Sequence, residues 1–144
     1  MRSPVFETGN TTTTQMSRRA LELRFLSRTQ LDIAQIKACL PEEAMALEPP
    51  ALAHIERMSH KISGEAESFE FPQVSAIAAA IELLCHDSRA KTYRDRLLLM
   101  NRLVEQVTAL EVYVEFALAE RQAQEAAADL AMSAEGIGSR HKHK

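Results

Sequence analysis

Apolar residues recur along this chain at spacings of three and four with polar residues between them, and four stretches carry the pattern. In the first, Ser17 is placed to cap a helix that carries Leu21, Phe25, Leu26, Ile33, Ile36, Cys39 and Leu40 until Pro41 stops it. Leu26, Ile33 and Leu40 repeat every seven residues, the spacing of a helix packed in a bundle. Pro41-Glu42-Glu43 is expected to open one extra helical turn through Met45. Glu48-Pro49-Pro50 then starts a second helix, since proline is tolerated in a first turn. That helix should end between Ser68 and Phe71, with Phe69 and Phe71 plugging the corner before Pro72 begins a third. Val74, Ile77, Ile81 and Leu84 form the seam of the third. Asp87-Ser88 marks the next break and offers a cap for a fourth helix, whose apolar side reads Tyr93, Leu97, Met100, Val104, Val107, Leu110, Val114 and Leu118.

Helical composition continues to about Met132, which makes the fourth helix over forty residues, or roughly 60 Å, long. Past Leu118 only Leu130 and Met132 are large and apolar, so this part should protrude, bend away or fray. The pattern thus predicts an all-α chain with an extended C-terminal helix: a flexible segment over 1–16, a helical domain over 17–131 and a disordered tail over 132–144.

Composition agrees with helices over sheet: 46% of residues are hydrophobic, only 5% are aromatic, and there are 4 glycines and no tryptophan. A formal net charge of −3, with Lys and Arg scattered, leaves no basic surplus to neutralise nucleic-acid phosphates. No apolar run approaches the ~20 residues of a membrane helix, and the N-terminus lacks the layout of a secretory signal. A cytoplasmic protein is therefore the expectation. Cys39 and Cys85 lack CxxC spacing and read as small apolar residues on helix faces. His141 and His143 belong to the closing tail and are not read as a metal site. The sequence has no Gly-rich phosphate loop, no Ser/His/Asp order and no zinc motif.

One histidine stands apart. With about 100° of turn per residue, Ala51, Ile55, Met58, Ile62, Ala66 and Phe69 form one apolar stripe on the second helix, and His60 lies opposite it. Glu56, Arg57, Ser63, Gly64 and Glu67 fall within about 60° of His60. Helical side chains lean over the preceding turn, so Ser63 and Gly64 are the residues that shade the imidazole. A mid-helix glycine costs about 1 kcal/mol relative to alanine, and an open approach to the imidazole is a reason to retain one. His54 lies at the flank, six residues away, the wrong spacing for a shared metal; His86 suits the C-terminus of the third helix, where a cation complements the dipole.

His60-Lys61-Ile62-Ser63-Gly64, followed by Ser68-Phe69-Glu70-Phe71-Pro72-Gln73-Val74, resembles the histidine-phosphotransfer (HPt) domain, in which a glycine follows the histidine by four and a segment like Thr-Phe-Gly-Phe-Pro precedes the next helix. The resemblance implies an antiparallel four-helix bundle whose surface histidine, His60, takes a phosphoryl group from receiver-domain aspartates and returns it to others. It implies response-regulator receiver domains as partners, with a hybrid histidine kinase as the secondary donor. It implies no cofactor and no nucleotide site of the chain's own, the Mg2+ and the acidic cluster coming from the receiver. On this reading the protein is a carrier and not an enzyme. Lys61, Ser63, Gly64, Arg57 and Glu67 then form the surface around the phosphoacceptor. Many members carry lysine where this chain has Ser63, and small residues where it has Glu65, Glu67 and Glu70; these departures bear on partner choice. The competing reading is a helical scaffold or adaptor that has the same bundle and binds partners without phosphate.

Overall fold

The computed structural model describes residues 11–42 and 45–142, with side chains over 18–42 and 45–134. Four α-helices follow in order: α1 Thr11–Cys39, α2 Pro49–Ser68, α3 Pro72–Arg89 and α4 Tyr93–Lys142; no strand occurs among the described residues. Contacts run α1–α2, α2–α3, α3–α4 and α4–α1, so α2 and α4 lie on the diagonal of a four-helix bundle. Phe25, Leu26, Ile33 and Ile36 of α1 meet Ile55, Ile62 and Ala66 of α2, Val74, Ala78 and Ile81 of α3, and Leu103, Val107, Leu110 and Val114 of α4 in one core. No described helix is long and apolar enough to cross a membrane.

Several boundaries differ from the sequence reading. α1 is helical from Thr11, so Ser17 lies inside it and is not its cap; residues 1–10, the rest of the expected flexible segment, lie outside the described residues. The extra turn expected between Pro41 and Met45 falls partly on residues 43 and 44, also outside them. α3 continues past Asp87-Ser88 to Arg89, with Ser88 buried, and Thr92 caps α4 by accepting the Asp95 backbone N–H on Oγ1 at 3.3 Å. α4 stays helical to Lys142, where a disordered tail was expected; its alanine-rich end has the propensity to propagate a helix without a partner. On α4 the core position is Leu103, not the expected Val104, because the buried seam steps through Met100, Leu103, Val107, Leu110 and Val114 at threes and fours. Leu21 of α1 is likewise exposed.

The α2–α3 corner sets the register of the site. The Phe71 N–H donates to the Ala66 carbonyl at 2.8 Å and the Glu70 N–H to that of Glu67 at 3.1 Å, the paired bonds of a Schellman cap. The cap requires a left-handed residue, and Glu70 supplies it with φ of 62°. Phe69 and Phe71 both stack on Phe25, at 5.3 and 6.0 Å between ring centroids, and Arg121 lies over the Phe71 ring. The two phenylalanines therefore pin the turn to α1 and α4, and α3 returns antiparallel to α2.

Candidate functional site

His60 projects from the middle of α2 with its side chain 77% exposed. Ser59, just before it, and Ile62, two places after it, are buried in the bundle, which fixes the helix rotation that turns His60 outward. Its Nδ1 lies 2.8 Å from Oε2 of Glu82 on α3. A carboxylate only accepts, so in the neutral ring this contact favours the proton on Nδ1 and leaves the Nε2 lone pair free. Gly64 stands one turn on, and a Cβ built there would meet no heavy atom within 4 Å. The approach to the imidazole past Gly64 is open.

Glu82 is the site residue that sequence reasoning missed. Its signal was present: once the turn at Phe69–Phe71 is placed, residues of α2 and α3 at roughly equal distances from it, within about two positions, face each other. Ser63 meets Ser75, His60 meets Glu82 and Glu56 meets His86 in that order along the pair.

Two of the expected neighbours have other duties. The Ser63 hydroxyl, expected beside the phosphoryl group, is half-buried and donates to the Ser75 carbonyl at 3.1 Å, within 3.2 Å of the Ser75 hydroxyl. It ties α2 to α3, because the short Ser75 side chain lets the helices approach closely enough for the bond. Glu56, close to His60 on the helix wheel, turns to α3, where it pairs with Arg89 at 2.9 Å and His86 at 3.2 Å. His86 thus has a carboxylate partner besides its place in the last turn of α3. Lys61, Arg57, His54 and Glu67 are exposed, and no ion pair among the described residues involves them.

The three acidic departures separate. Glu65 is half-buried and pairs with Arg28 of α1 at 2.9 Å; Glu70 reaches Arg18 at 3.5 Å. Glu67 is left facing solvent, on a groove lined by Ser63, Glu67, Glu70, Pro72, Ser75, Ala76 and Ala79 that begins one turn along α2 from His60. Small side chains floor this groove and carboxylates rim it.

Across residues 23–113 the chain matches the family model described as the Hpt domain. The chain belongs to the Hpt domain family. No significant match to a curated protein or to a solved structure accompanies it. Hpt domains are phosphoryl carriers in the phosphorelays of two-component systems, where they interact with receiver domains and kinases. The helix pair α2–α3 and His60 fall inside the matched span of this Hpt domain, which also takes in most of α1 and the first part of α4.

Both cysteines are free, and burial, reinforced by Glu56 and opposed by Arg89, pushes the Cys85 thiol up to about 12, so it stays protonated. No group of three or more His, Cys, Asp or Glu side chains is arranged to hold a metal among the described residues.

Proposed function

We propose that His60 is the phosphoacceptor and that the chain shuttles a phosphoryl group between receiver-domain aspartates. The observation that carries this reading is the exposed imidazole with Nδ1 on Glu82 and Nε2 open to solvent. The Nε2 lone pair attacks the phosphorus of a receiver's aspartyl phosphate. The N–P bond forms as the acyl P–O bond breaks, and that electron pair leaves with the aspartate carboxylate. The proton stays on Nδ1, where Glu82 stabilises the positive charge that develops on the ring. Transfer to a second receiver reverses each of these changes.

Alignment and neutralisation of oxygen charge carry most of a phosphoryl transfer. This surface contributes a fixed nucleophile and one adjacent cation, Lys61, whose stem is long enough to curl toward a phosphate on His60. Arg57 leans toward the preceding turn and ranks behind it. The Mg2+ and the remaining acidic groups come with the receiver.

The test is to mix the protein with a panel of phosphorylated receivers and look for acid-labile, base-stable phosphate. Wild type should be labelled and His60→Gln should not. The variant should melt within the equivalent of about 0.5 kcal/mol of wild type, because the side chain is exposed. Full labelling of His60→Gln would move the phosphoacceptor elsewhere.

A further inference from the structure

The two faces of α4 are both patterned for packing, and only one is used. Leu103, Val107, Leu110, Val114 and Leu118 form the buried seam. On the opposite side, about 170° round the helix, Val112, Phe116, Ala119, Ala123, Ala126 and Leu130 repeat at steps of four, three, four, three and four. That is a continuous a/d heptad seam about 27 Å long. All six residues are exposed, with Val112 at 56%, Phe116 at 65% and Leu130 at 72%. Scattered surface apolar residues need no explanation, but six in heptad register do. Nearly the whole seam lies beyond residue 113, where the match to the Hpt family ends. The bundle does not need it.

Charge selects the occupant. Between Leu103 and Ala134 α4 carries six acids and a single base, Arg121, which is turned inward onto Glu22 and the Phe71 ring. In the register of the outer seam, the flanking positions hold Glu115, Glu120 and Asp129 and no cation. A parallel pairing with a second copy would set Glu115 against Glu120 twice, and an antiparallel one would set acids against acids as well. We infer that the outer face of α4 docks an amphipathic helix of another protein, with an apolar a/d stripe flanked by Lys or Arg. Because α2 and α4 are diagonal, the docked helix sits across the bundle from His60, so the carrier is tethered to its partner while the imidazole remains free for receivers.

The probes are two synthetic 28-residue peptides with Leu at every a and d position, one with Lys and the other with Glu at e and g. Binding to the full chain is read by fluorescence anisotropy at low and high salt. The Lys peptide should bind at least tenfold more tightly than the Glu peptide, the advantage shrinking as salt rises. Val112→Ser with Phe116→Ser should weaken Lys-peptide binding at least tenfold while the thermal midpoint and labelling of the protein by phosphorylated receivers are retained. Glu115→Lys with Glu120→Lys should reverse the preference between peptides. Equal binding of the two peptides, or unchanged binding by the Ser variant, would overturn the inference. Sedimentation should show a monomer; a dimer dissociated by the Ser variant would make the occupant a second copy and overturn it equally.

Discussion

The 2.8 Å contact between His60 Nδ1 and Glu82 Oε2 does two things to the neutral imidazole: it favours the tautomer that bares Nε2, and it biases the ring toward one orientation about the Cβ–Cγ bond. Glu82 touches neither phosphate nor partner in this role, so it is a positioning residue. Glu82→Ala should slow phosphoryl acceptance roughly tenfold, in the range lost when the partner that orients a histidine is removed. Glu82→Gln, which keeps an acceptor oxygen, should restore most of the rate. Stopped-flow transfer from a phosphorylated receiver checks both, and equal rates in the Ala variant and wild type would reduce the contact to a surface pair. Gly64 separates stability from access. Since a Cβ there meets nothing, Gly64→Ala should raise stability by up to about 1 kcal/mol, seen as a higher urea midpoint, with transfer intact. Gly64→Leu should slow transfer by reaching over the ring; transfer at the native rate would refute the need for an open approach. At this scale His60 and Gly64 were legible because one helix wheel places them. Glu82 and the Ser63–Ser75 tie were not, because they depend on how two helices are set against each other.

The α2–α3 connection shows an element ended by geometry in spite of its sequence. A Schellman cap asks for a left-handed residue, and a residue with a Cβ pays about 1–2 kcal/mol to adopt it. Glu70 occupies that position with φ of 62°, and its exposed carboxylate recovers little through the 3.5 Å pair with Arg18. Glu70→Gly should therefore raise stability by about 1 kcal/mol, a shift of a few degrees in thermal midpoint. A fall in midpoint would mean that the Arg18 pair matters more than the backbone. Pro49 and Pro72 in their first turns made the starts of α2 and α3 legible, as did the apolar seams that sort core from surface. The end of α3 was hidden because Asp87 and Ser88 read as a cap when Thr92 is the one used. The extent of α4 was hidden because a pattern that leaves the core can still propagate on alanine.

If His60 is the phosphoacceptor proposed above, charge across the molecule should bear on which partners approach it. The chain is only mildly acidic at −3, but its carboxylates are distributed unevenly: Glu65 is tied to Arg28, Glu67 and Glu70 both line the α2–α3 groove, and of these two Glu67, one turn closer to His60, has no ion pair among the described residues. One exposed charge contributes fractions of a kcal/mol to a complex. Its larger effect is on the rate and choice of encounter, where like charges repel and opposite charges steer. Receivers with a basic docking rim should therefore be favoured over acidic ones. Glu67→Lys should change transfer rates a few-fold in opposite directions for the two kinds, reordering the panel at low salt. The differences should shrink at 0.5 M salt, where the screening length falls to about 4 Å. Glu65→Gln tests the same logic from the other side: its charge is spent on Arg28, so it should lower stability slightly and leave the ranking as it was. If Glu67→Lys also leaves the ranking unchanged at low salt, receivers dock without meeting this end of the groove.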